Sequence, residues 1–168
     1  MDPRLPNLLA AVALLVQDAL DECEVSDTTV GSSAAAALVS VGHRQGLSIE
    51  ALSASLGLTH SGTVRLVDRL EAAGTVQRRK ADGRTVGLWL TSQGRRRVRS
   101  INSARLSAVA RIIPALSTDE ARSVDAFLCR ILAAHANDDD DLYRICRICS
   151  FDACQANEPC PVDLAVSV

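Results

Sequence analysis

The chain has 168 residues, enough for one ordinary domain with a short appendage. Apolar residues make up 48% of the sequence and aromatic residues only 2%, so the core must consist mainly of Ala, Leu, Val and Ile, a composition that favours helices. The scarcity of aromatic side chains argues against a module that stacks the bases of RNA or single-stranded DNA.

The net charge of -2 conceals an uneven distribution of charged residues. Residues 60–105 contain eleven basic and three acidic residues, a net charge of +8, whereas the rest of the chain carries -10. The basic residues are Arg65, Arg69, Arg78, Arg79, Lys80, Arg84, Arg95, Arg96, Arg97, Arg99 and Arg105. A basic block on an acidic body is typical of nucleic-acid binding, whereas a merely solvated surface would mix both signs.

The first predicted helix runs from about Pro6 to Cys23 and is apolar on nearly every side. Its apolar run at residues 8–16 is too short to span a membrane and lacks a small-residue cleavage site. We therefore expect a cytoplasmic protein that does not enter the membrane. A helix this apolar is expected to be buried on two sides, against the core and against a partner subunit.

A helix-turn-helix is predicted after a second, Ala-rich helix over residues 29–43. Ser48 can cap the first of its two short helices, Gly57 lies in the turn, and Thr59 can cap the second. The second helix ends at Gly74, a residue suited to a left-handed position at a helix C-terminus. A helix, a Gly-containing turn and a helix within 26 residues form the helix-turn-helix outline.

Two strand candidates follow, over residues 75–79 and 85–90, and their connecting loop contains Asp82-Gly83. An Asp-Gly pair between two strands is a strong hairpin signal, so we predict a two-stranded wing. The predicted fold class is mainly α, an α+β winged helix-turn-helix with about six helices in an intertwined helical dimer.

Two long helices complete the predicted body. One runs from residue 91 or 92 to about 113, and the other opens at a Ser117–Glu120 capping box and continues to about residue 135. Four consecutive aspartates at 138–141 predict a hydrated linker. We divide the chain into a helical dimerisation region (1–46 and 92–136), a winged helix-turn-helix (47–91) and a cysteine-rich, cofactor-binding tail (137–168).

The second helix of the helix-turn-helix has two distinct faces at 100° per residue. Its apolar face contains Val64, Leu66, Val67 and Leu70. Its polar face contains Ser61, Arg65, Asp68 and Arg69, with Gly62 beside them. Because Arg reads guanine in the major groove, we predict base contacts from Ser61 and Arg65, and phosphate contacts from Arg69 and His60. Thr63 falls on the inward side. An ordinary amphipathic helix with solvated arginines is the alternative, and the adjoining wing and basic block favour DNA.

The stretch Thr63–Gly74, TVRLVDRLEAAG, resembles the recognition helix of the multiple-antibiotic-resistance regulator (MarR) family. The wing agrees, because Asp82-Gly83-Arg84 is similar to the family's D-x-R motif. The sequence LTSQG at residues 90–94 likewise resembles its L-T-x-x-G helix start. The resemblance covers roughly residues 6 to 135.

This resemblance implies a homodimer whose N- and C-terminal helices interlock and which binds double-stranded DNA as a transcriptional regulator. We expect a repressor rather than an enzyme, since the sequence has no Gly-rich phosphate loop and no H-E-x-x-H motif. A two-fold dimer requires an approximately palindromic operator. The family pattern also implies that Arg84 enters the minor groove and that Asp82 orients it, which is reasonable because a narrow minor groove attracts Arg.

The tail carries four cysteines as Cys146-x2-Cys149-x4-Cys154-x5-Cys160, followed by Pro161. The x2 and x4 spacings are those of plant-type ferredoxins in reverse order, and Cys-Pro ends the bacterial ferredoxin run, which favours a [2Fe-2S] or [4Fe-4S] iron–sulfur cluster.

Two other interpretations of the cysteine motif stay open. A tetrahedral zinc site uses four thiolates, usually as two closely spaced pairs separated by a finger. A metal-free disulfide switch is the third. With either alternative, the zinc site or the switch, the regulator would respond to a small-molecule ligand in the dimer. An iron–sulfur cluster would make the tail a redox or nitric-oxide sensor. Cys23 and Cys129 lie on predicted helical faces and are interpreted as ordinary buried residues.

Overall fold

The computed structural model describes residues 2–25, 31–80, 86–156 and 158–166. Within these ranges the chain forms nine helices and one two-stranded antiparallel sheet. The elements are α1 (Arg4–Val25), α2 (Ser32–His43), α3 (Ile49–Leu56), α4 (His60–Ala72), β1 (Val76–Lys80), β2 (Val86–Leu90), α5 (Ser92–Ala110), α6 (Thr118–Ala133), α7 (Asp139–Ile145), α8 (Phe151–Cys154) and α9 (Pro161–Val166). The predicted fold class is confirmed, and the three helices α7–α9 are additional to the six expected.

The ends of the helix-turn-helix form as their residue types predict. The hydroxyls of Ser48 and Thr59 each accept a hydrogen bond, 3.1 Å long, from the backbone N–H three residues later. Thr91 caps α5 in the same way at 3.0 Å. Gly57 and Gly74 have φ of 64° and 69°, the left-handed conformation in which a residue without Cβ is favoured. The positions of the turn and of the helix ends are therefore confirmed.

The wing is an antiparallel hairpin in which Val76 lies opposite Leu90 and Lys80 lies opposite Val86. The first turn of α5 closes against its base, where a Cβ added to Gly94 would lie 2.0 Å from the carbonyl oxygen of Thr75. Asp82 and Arg84, predicted in the hairpin loop, lie outside the described residues.

One aliphatic core holds α2, α3, α4 and the wing together. It contains Ala37, Leu38, Val41, Leu47, Leu52, Leu66, Val67, Leu70, Val76, Leu88 and Leu90. Val98 and Ile101 of α5 pack against it, which joins the long helix to the helix-turn-helix. The core contains no aromatic residue, as the composition requires.

Helix α1 is largely exposed in the single chain, so the expected burial against the core is wrong for most of its length. It packs on α5, and half-buried positions begin only at Val16. The physical reason is that, among the described elements, α1 packs mainly against α5, which covers its C-terminal half better than its N-terminal half. Large exposed apolar side chains on α1 are Leu5, Leu8, Leu9, Val12, Leu14 and Leu15, and those on α6 are Val124, Phe127, Leu128 and Leu132.

The aspartate run is the start of a helix and not a hydrated linker, which corrects the sequence-based expectation. The carboxylate of Asp138 caps α7 by accepting the N–H of Asp141 at 2.8 Å. Acidic side chains in the first turn interact favourably with the positive end of the helix dipole, so the same residues that suggest hydration also initiate a helix.

The tail has a second, smaller core of its own. Its buried residues are Ala136, Leu142, Cys146, Cys160 and Val162. Helix α7 packs against α3 and α9, and α9 packs against α6, so the tail bridges the helix-turn-helix and the last long helix. No helix in the described ranges has both the length and the apolar character needed to cross a bilayer.

Candidate nucleic-acid interface and cysteine cluster

Helix α4 separates its side chains into a buried and an exposed face. Its buried residues are Thr63, Leu66, Val67 and Leu70, and Thr63 is fully buried, as predicted. The exposed residues are His60, Ser61, Arg65, Asp68 and Arg69, and Gly62 is half-buried beside them. The predicted polar face is therefore present on one continuous surface.

Arg65 is held along this surface by its own helix. Its Nε atom donates a hydrogen bond to the carbonyl oxygen of Ser61, one turn earlier, at 3.3 Å. The bond uses Nε, so the two terminal nitrogens of the guanidinium keep the fork geometry that can bond two acceptors at once.

Arg78 of β1 braces the wing against α4. Its guanidinium donates to Asp68 at 2.7 Å and also bonds Glu71, while its backbone N–H donates to Glu71 Oε1 at 3.1 Å. Sequence reasoning counted Arg78 only as part of the basic block. The sequence does contain a pattern that could have indicated this role. Asp68 and Glu71 lie three residues apart on α4, on neighbouring turns, and two such carboxylates favour a basic partner.

The remaining basic residues divide into two groups. Arg79 and Lys80 on β1 and Arg95, Arg96 and Arg99 on α5 are exposed, and Arg97 is half-buried. Arg105 is directed elsewhere, because its Nη1 donates to the carbonyl oxygen of Ile148 in the tail. Its inclusion in the DNA-facing block is therefore wrong: α5 is long enough to carry its last arginine away from the wing.

The structure brings the four predicted cysteines of the tail into one region. Cys146 and Cys160 are buried, each 3% exposed, whereas Cys149 is half-buried and Cys154 is exposed. Cys146 shares a hydrogen bond with Cys149, and Cys154 shares one with Cys160.

The thiols influence one another's protonation. The hydrogen bond from Cys146, and the nearby guanidinium groups of Arg105 and Arg147, lower the pKa of Cys149 to about 7 against the opposing effect of burial. The pKa of Cys146 is raised by its bond to Cys149 and by burial. Burial and the proximity of Cys160 raise the pKa of Cys154 to about 11.

The donor set of this cysteine cluster suits a thiophilic metal or an iron–sulfur cluster, because four thiols lie within electrostatic reach of one another. Among the side chains that the structure describes, no three Cys, His, Asp or Glu residues are already arranged as a metal site. Thiols of unequal depth would have to converge, as is usual where metal binding is coupled to folding.

The two remaining cysteines differ in what can be said of them. Cys129 is half-buried rather than buried, and burial, Asp125 and then Cys160 raise its pKa, so it lies beside the cysteine cluster. Its sequence-based interpretation as a plain core residue is corrected, because α6 and α9 pack side by side. The side chain of Cys23 lies outside the described residues.

Two adjoining cavities lie between the tail and the helices of the body. The larger, about 500 Å³, has a mainly apolar lining contributed by α1, α5 and the tail. The smaller, about 250 Å³, is bounded by the start of α2 and by Arg105 and Arg147. Leu20, Arg105 and Ile148 line both, so an apolar space opens beside a cationic one.

A capped helix pair joined by a glycine turn, followed by an antiparallel hairpin and a long helix, defines a winged helix-turn-helix protein. Residues 28–85 match the model of the MarR family. This segment, which contains the helix-turn-helix and the first strand of the wing, is therefore similar to the MarR family. No curated protein sequence matches the chain significantly.

Solved structures share this fold along most of the chain. RV1404 from Mycobacterium tuberculosis is 26% identical with a TM-score of 0.64, covering 80% of this chain and 93% of its own. A MarR family protein from Bacillus stearothermophilus is 24% identical with a TM-score of 0.70, covering 78% and 95%. The MarR family protein Rv2887 from Mycobacterium tuberculosis, solved in complex with DNA, is 21% identical with a TM-score of 0.62, covering 76% and 96%.

Proposed function

We propose that this chain is a homodimeric, sequence-specific transcriptional regulator that binds duplex DNA through its winged helix-turn-helix and acts as a repressor. The observation that carries the proposal is the exposed face of α4, where Ser61, Arg65 and Arg69 lie opposite a buried apolar face. Ser61 and Arg65 are assigned to base edges. Arg69 and His60 are assigned to the phosphates that fix the register, and Gly62 beside them has no side chain to hinder the approach of the DNA. Rv2887, which shares this fold, has been solved in complex with DNA.

A second copy of the chain is the proposed partner of α1 and α6. Both helices expose rows of Leu, Val and Phe side chains, more contiguous apolar surface than a monomer ordinarily leaves in water. Pairing these surfaces about a two-fold axis would place two α4 helices about one turn of DNA apart, so the operator is expected to be approximately palindromic.

The DNA-binding proposal is tested by affinity measurements on a duplex selected by the protein from a random library. Binding should weaken about 10³-fold or more between 50 and 200 mM salt, since several phosphates are contacted. Arg65→Ala should cost about 1–3 kcal/mol of binding free energy and relax selectivity at one position in each half-site. Arg122→Ala, on an arginine of α6 that pairs with Asp119, is the matched control. Salt-independent binding, or an unaffected Arg65→Ala variant, would refute the assignment.

The wing is assigned to the minor groove through Arg84, with Asp82 orienting it. This part of the proposal rests on the D-x-R motif, since both residues lie outside the described ranges. Arg84→Ala should weaken binding most on duplexes with A·T-rich flanks, where the minor groove is narrow. Equal losses on A·T-rich and G·C-rich flanks would place Arg84 on the backbone instead.

We further infer that the tail holds an iron–sulfur cluster on Cys146, Cys149, Cys154 and Cys160, with zinc as the alternative occupant. The support is the placement of these four thiols in one region, within electrostatic reach of one another, and the nearby guanidinium groups of Arg105 and Arg147, which offset thiolate charge. A bound cluster supplies a centre that responds to oxidation or nitric oxide, and the regulator would then report redox state.

Protein purified without oxygen should be brown and contain iron and acid-labile sulfide. Replacing any one of the four cysteines by Ser should remove the colour, whereas Cys129→Ser should retain it. Colourless protein with about one zinc per chain would replace the iron–sulfur assignment by a zinc site. Protein without either metal, whose cysteine variants all bind DNA like the parent, would remove the tail as a cofactor site.

A small aromatic acid is a second candidate signal, favoured by the two adjoining cavities. The apolar cavity could take a ring and the cationic one a carboxylate, with Arg105 at their junction. Rv2887 has been solved with p-aminosalicylic acid. Calorimetry with p-aminosalicylic acid should then give binding that Arg105→Gln weakens, and no heat of binding to the parent would exclude this candidate.

A further inference from the structure

The tail is fastened to the end of α2 by two aromatic contacts. The ring of Phe151 stacks on that of His43, with centroids 3.7 Å apart and planes within 5°. The guanidinium carbon of Arg44 lies 5.2 Å from the centroid of the Tyr143 ring, a cation–π contact. His43 and Arg44 are neighbours in sequence, so both contacts reach the same short stretch of backbone.

A hydrogen bond links one of the predicted ligand residues to the same place. His43 Nε2 lies 3.0 Å from the carbonyl oxygen of Cys149, within hydrogen-bonding distance. Phe151, which stacks on that imidazole, follows Cys149 by two residues. Any change in the path of the chain around Cys149 must therefore move His43 or break its contacts.

The residues after Arg44 anchor the wing. The N–H of Gly46 donates to the carbonyl of Leu88 at 2.8 Å, and the N–H of Leu88 donates to the carbonyl of Leu47 at 2.9 Å. The side chain of Gln45 accepts the N–H of Leu90 at 3.1 Å. Residues 43–47, named here the wing anchor, thus touch the cysteine cluster at one end and β2 at the other.

A second contact leads from the tail to the helix-turn-helix. Helix α7, which ends immediately before Cys146, packs along α3, and α3 packs on α4. Within one protomer, the tail therefore contacts the wing anchor, which holds β2, and α3, which packs on the proposed DNA-reading helix α4.

We infer that the cysteine cluster regulates DNA binding through the wing anchor and α3, by setting the position of the wing and α4 inside each protomer. This inference rests on the proposed function of the tail and of α4. Its physical basis is the unequal depth of the thiols: Cys146 and Cys160 are buried and Cys154 is exposed, so gathering all four around one centre displaces the segment that carries Cys149 and Phe151. That displacement acts on His43 directly, because the His43 ring stacks on Phe151 and bonds the carbonyl of Cys149.

The inference is tested with Zn²⁺ as the probe, added to reduced, metal-free protein and removed by a chelator. In the parent, Zn²⁺ should change the Kd for the selected duplex by about fivefold or more, in the range usual for coupled sites. In the double variant H43Q/F151L the change should fall below twofold. Zn²⁺ stoichiometry and the Kd of the metal-free protein should stay as in the parent. D152A, an exposed neighbour of Phe151, is the matched control.

Arg44→Gln provides a second variant that removes only an exposed side chain, in case the double variant is unstable. Hydrogen exchange gives a readout that needs no DNA: Zn²⁺ should change the protection of amides in residues 43–47 and in α3. Protection changes confined to α6, or an undiminished Zn²⁺ effect in the variants, would overturn the inference. A parent that binds no DNA or takes up no Zn²⁺ fails at the first step, which identifies the proposed function as the part at fault.

Discussion

The winged helix-turn-helix and the tail each have a buried core, but the two cores differ in chemistry. The first contains eleven aliphatic side chains, among them the fully buried Leu38, Leu52 and Leu88. The second contains five residues, and two of them are the cysteines Cys146 and Cys160. Burying aliphatic groups is favourable under any redox condition, whereas a thiol changes with oxidant and metal. The comparison predicts that the winged helix-turn-helix stays folded in every redox state and that the order of the tail depends on its thiols.

The largest effect is expected when a buried leucine is truncated in each core, because the two cores should differ in how much they contribute to the free energy of unfolding. Leu52→Ala should lower the free energy of unfolding by about 2–5 kcal/mol, because it leaves a cavity in a fully buried aliphatic site. Leu142→Ala, the corresponding change in the tail core, should increase hydrogen exchange in residues 136–166 and leave the main denaturation midpoint nearly unchanged. If both variants lower the main midpoint equally, the two cores unfold as one unit and the comparison fails.

Metal binding should stabilise the second core far more than the first. At a free Zn²⁺ concentration about 100 times its Kd, mass action contributes about 2.7 kcal/mol to the tail, measured as protection from limited proteolysis. Cys160→Ser should abolish this protection, whereas Cys129→Ser should keep it. Equal protection in the Cys160→Ser variant would show that Zn²⁺ acts elsewhere on the chain.

A smaller effect is expected from the brace between the wing and α4. Arg78→Ala should cost up to about 1 kcal/mol of stability, since its ion pairs with Asp68 and Glu71 are partly exposed to solvent. DNA affinity should fall while its salt dependence stays that of the parent, because Arg78 is already engaged by carboxylates. A reduced salt slope would instead show that Arg78 contacts phosphate.

The smallest effect is a loss of stability at acidic pH that depends on the protonation of Asp141. Bonds from Arg144 and Asn137 lower the pKa of Asp141 from 3.8 to about 2. Because the folded-state pKa is depressed, this contribution to stability is present above about pH 4 and is lost as the pH falls towards 2. An NMR titration of the Asp141 carboxyl should give a midpoint near pH 2, and Arg144→Gln should raise that midpoint. A midpoint near 3.8 in the parent would contradict the observed bonds.

Much of the winged helix-turn-helix could be predicted because its signals are local. Ser48, Gly57, Thr59 and Gly74 each act within a few residues, through a cap or a left-handed turn, and all four were confirmed. The inward direction of Thr63 followed from helical periodicity alone. Which bases the exposed side chains touch is not encoded in such local terms, so those roles stay predictions.

The tail was predicted less well because its structure depends on distant contacts. Its helices are only four to seven residues long, too short for a periodic pattern to show. The aspartate run was misinterpreted because the same residues favour both solvation and a helix start. The stacking of His43 on Phe151 joins residues more than 100 positions apart, and nothing in either neighbourhood indicates the other.

Position 94 has no room for a side chain, and the close contact at this glycine couples the movement of α5 to that of the wing. A Cβ would meet the carbonyl oxygen of Thr75 at 2.0 Å, and the N–H of Thr91 already donates to that same oxygen at 3.0 Å. The base of the wing and the first turn of α5 are thus in direct backbone contact, so we expect them to move together as one rigid unit. A tilt of α5 is therefore expected to move β1 and β2 with it. In a saturation-mutagenesis screen for DNA binding, position 94 should accordingly return glycine alone.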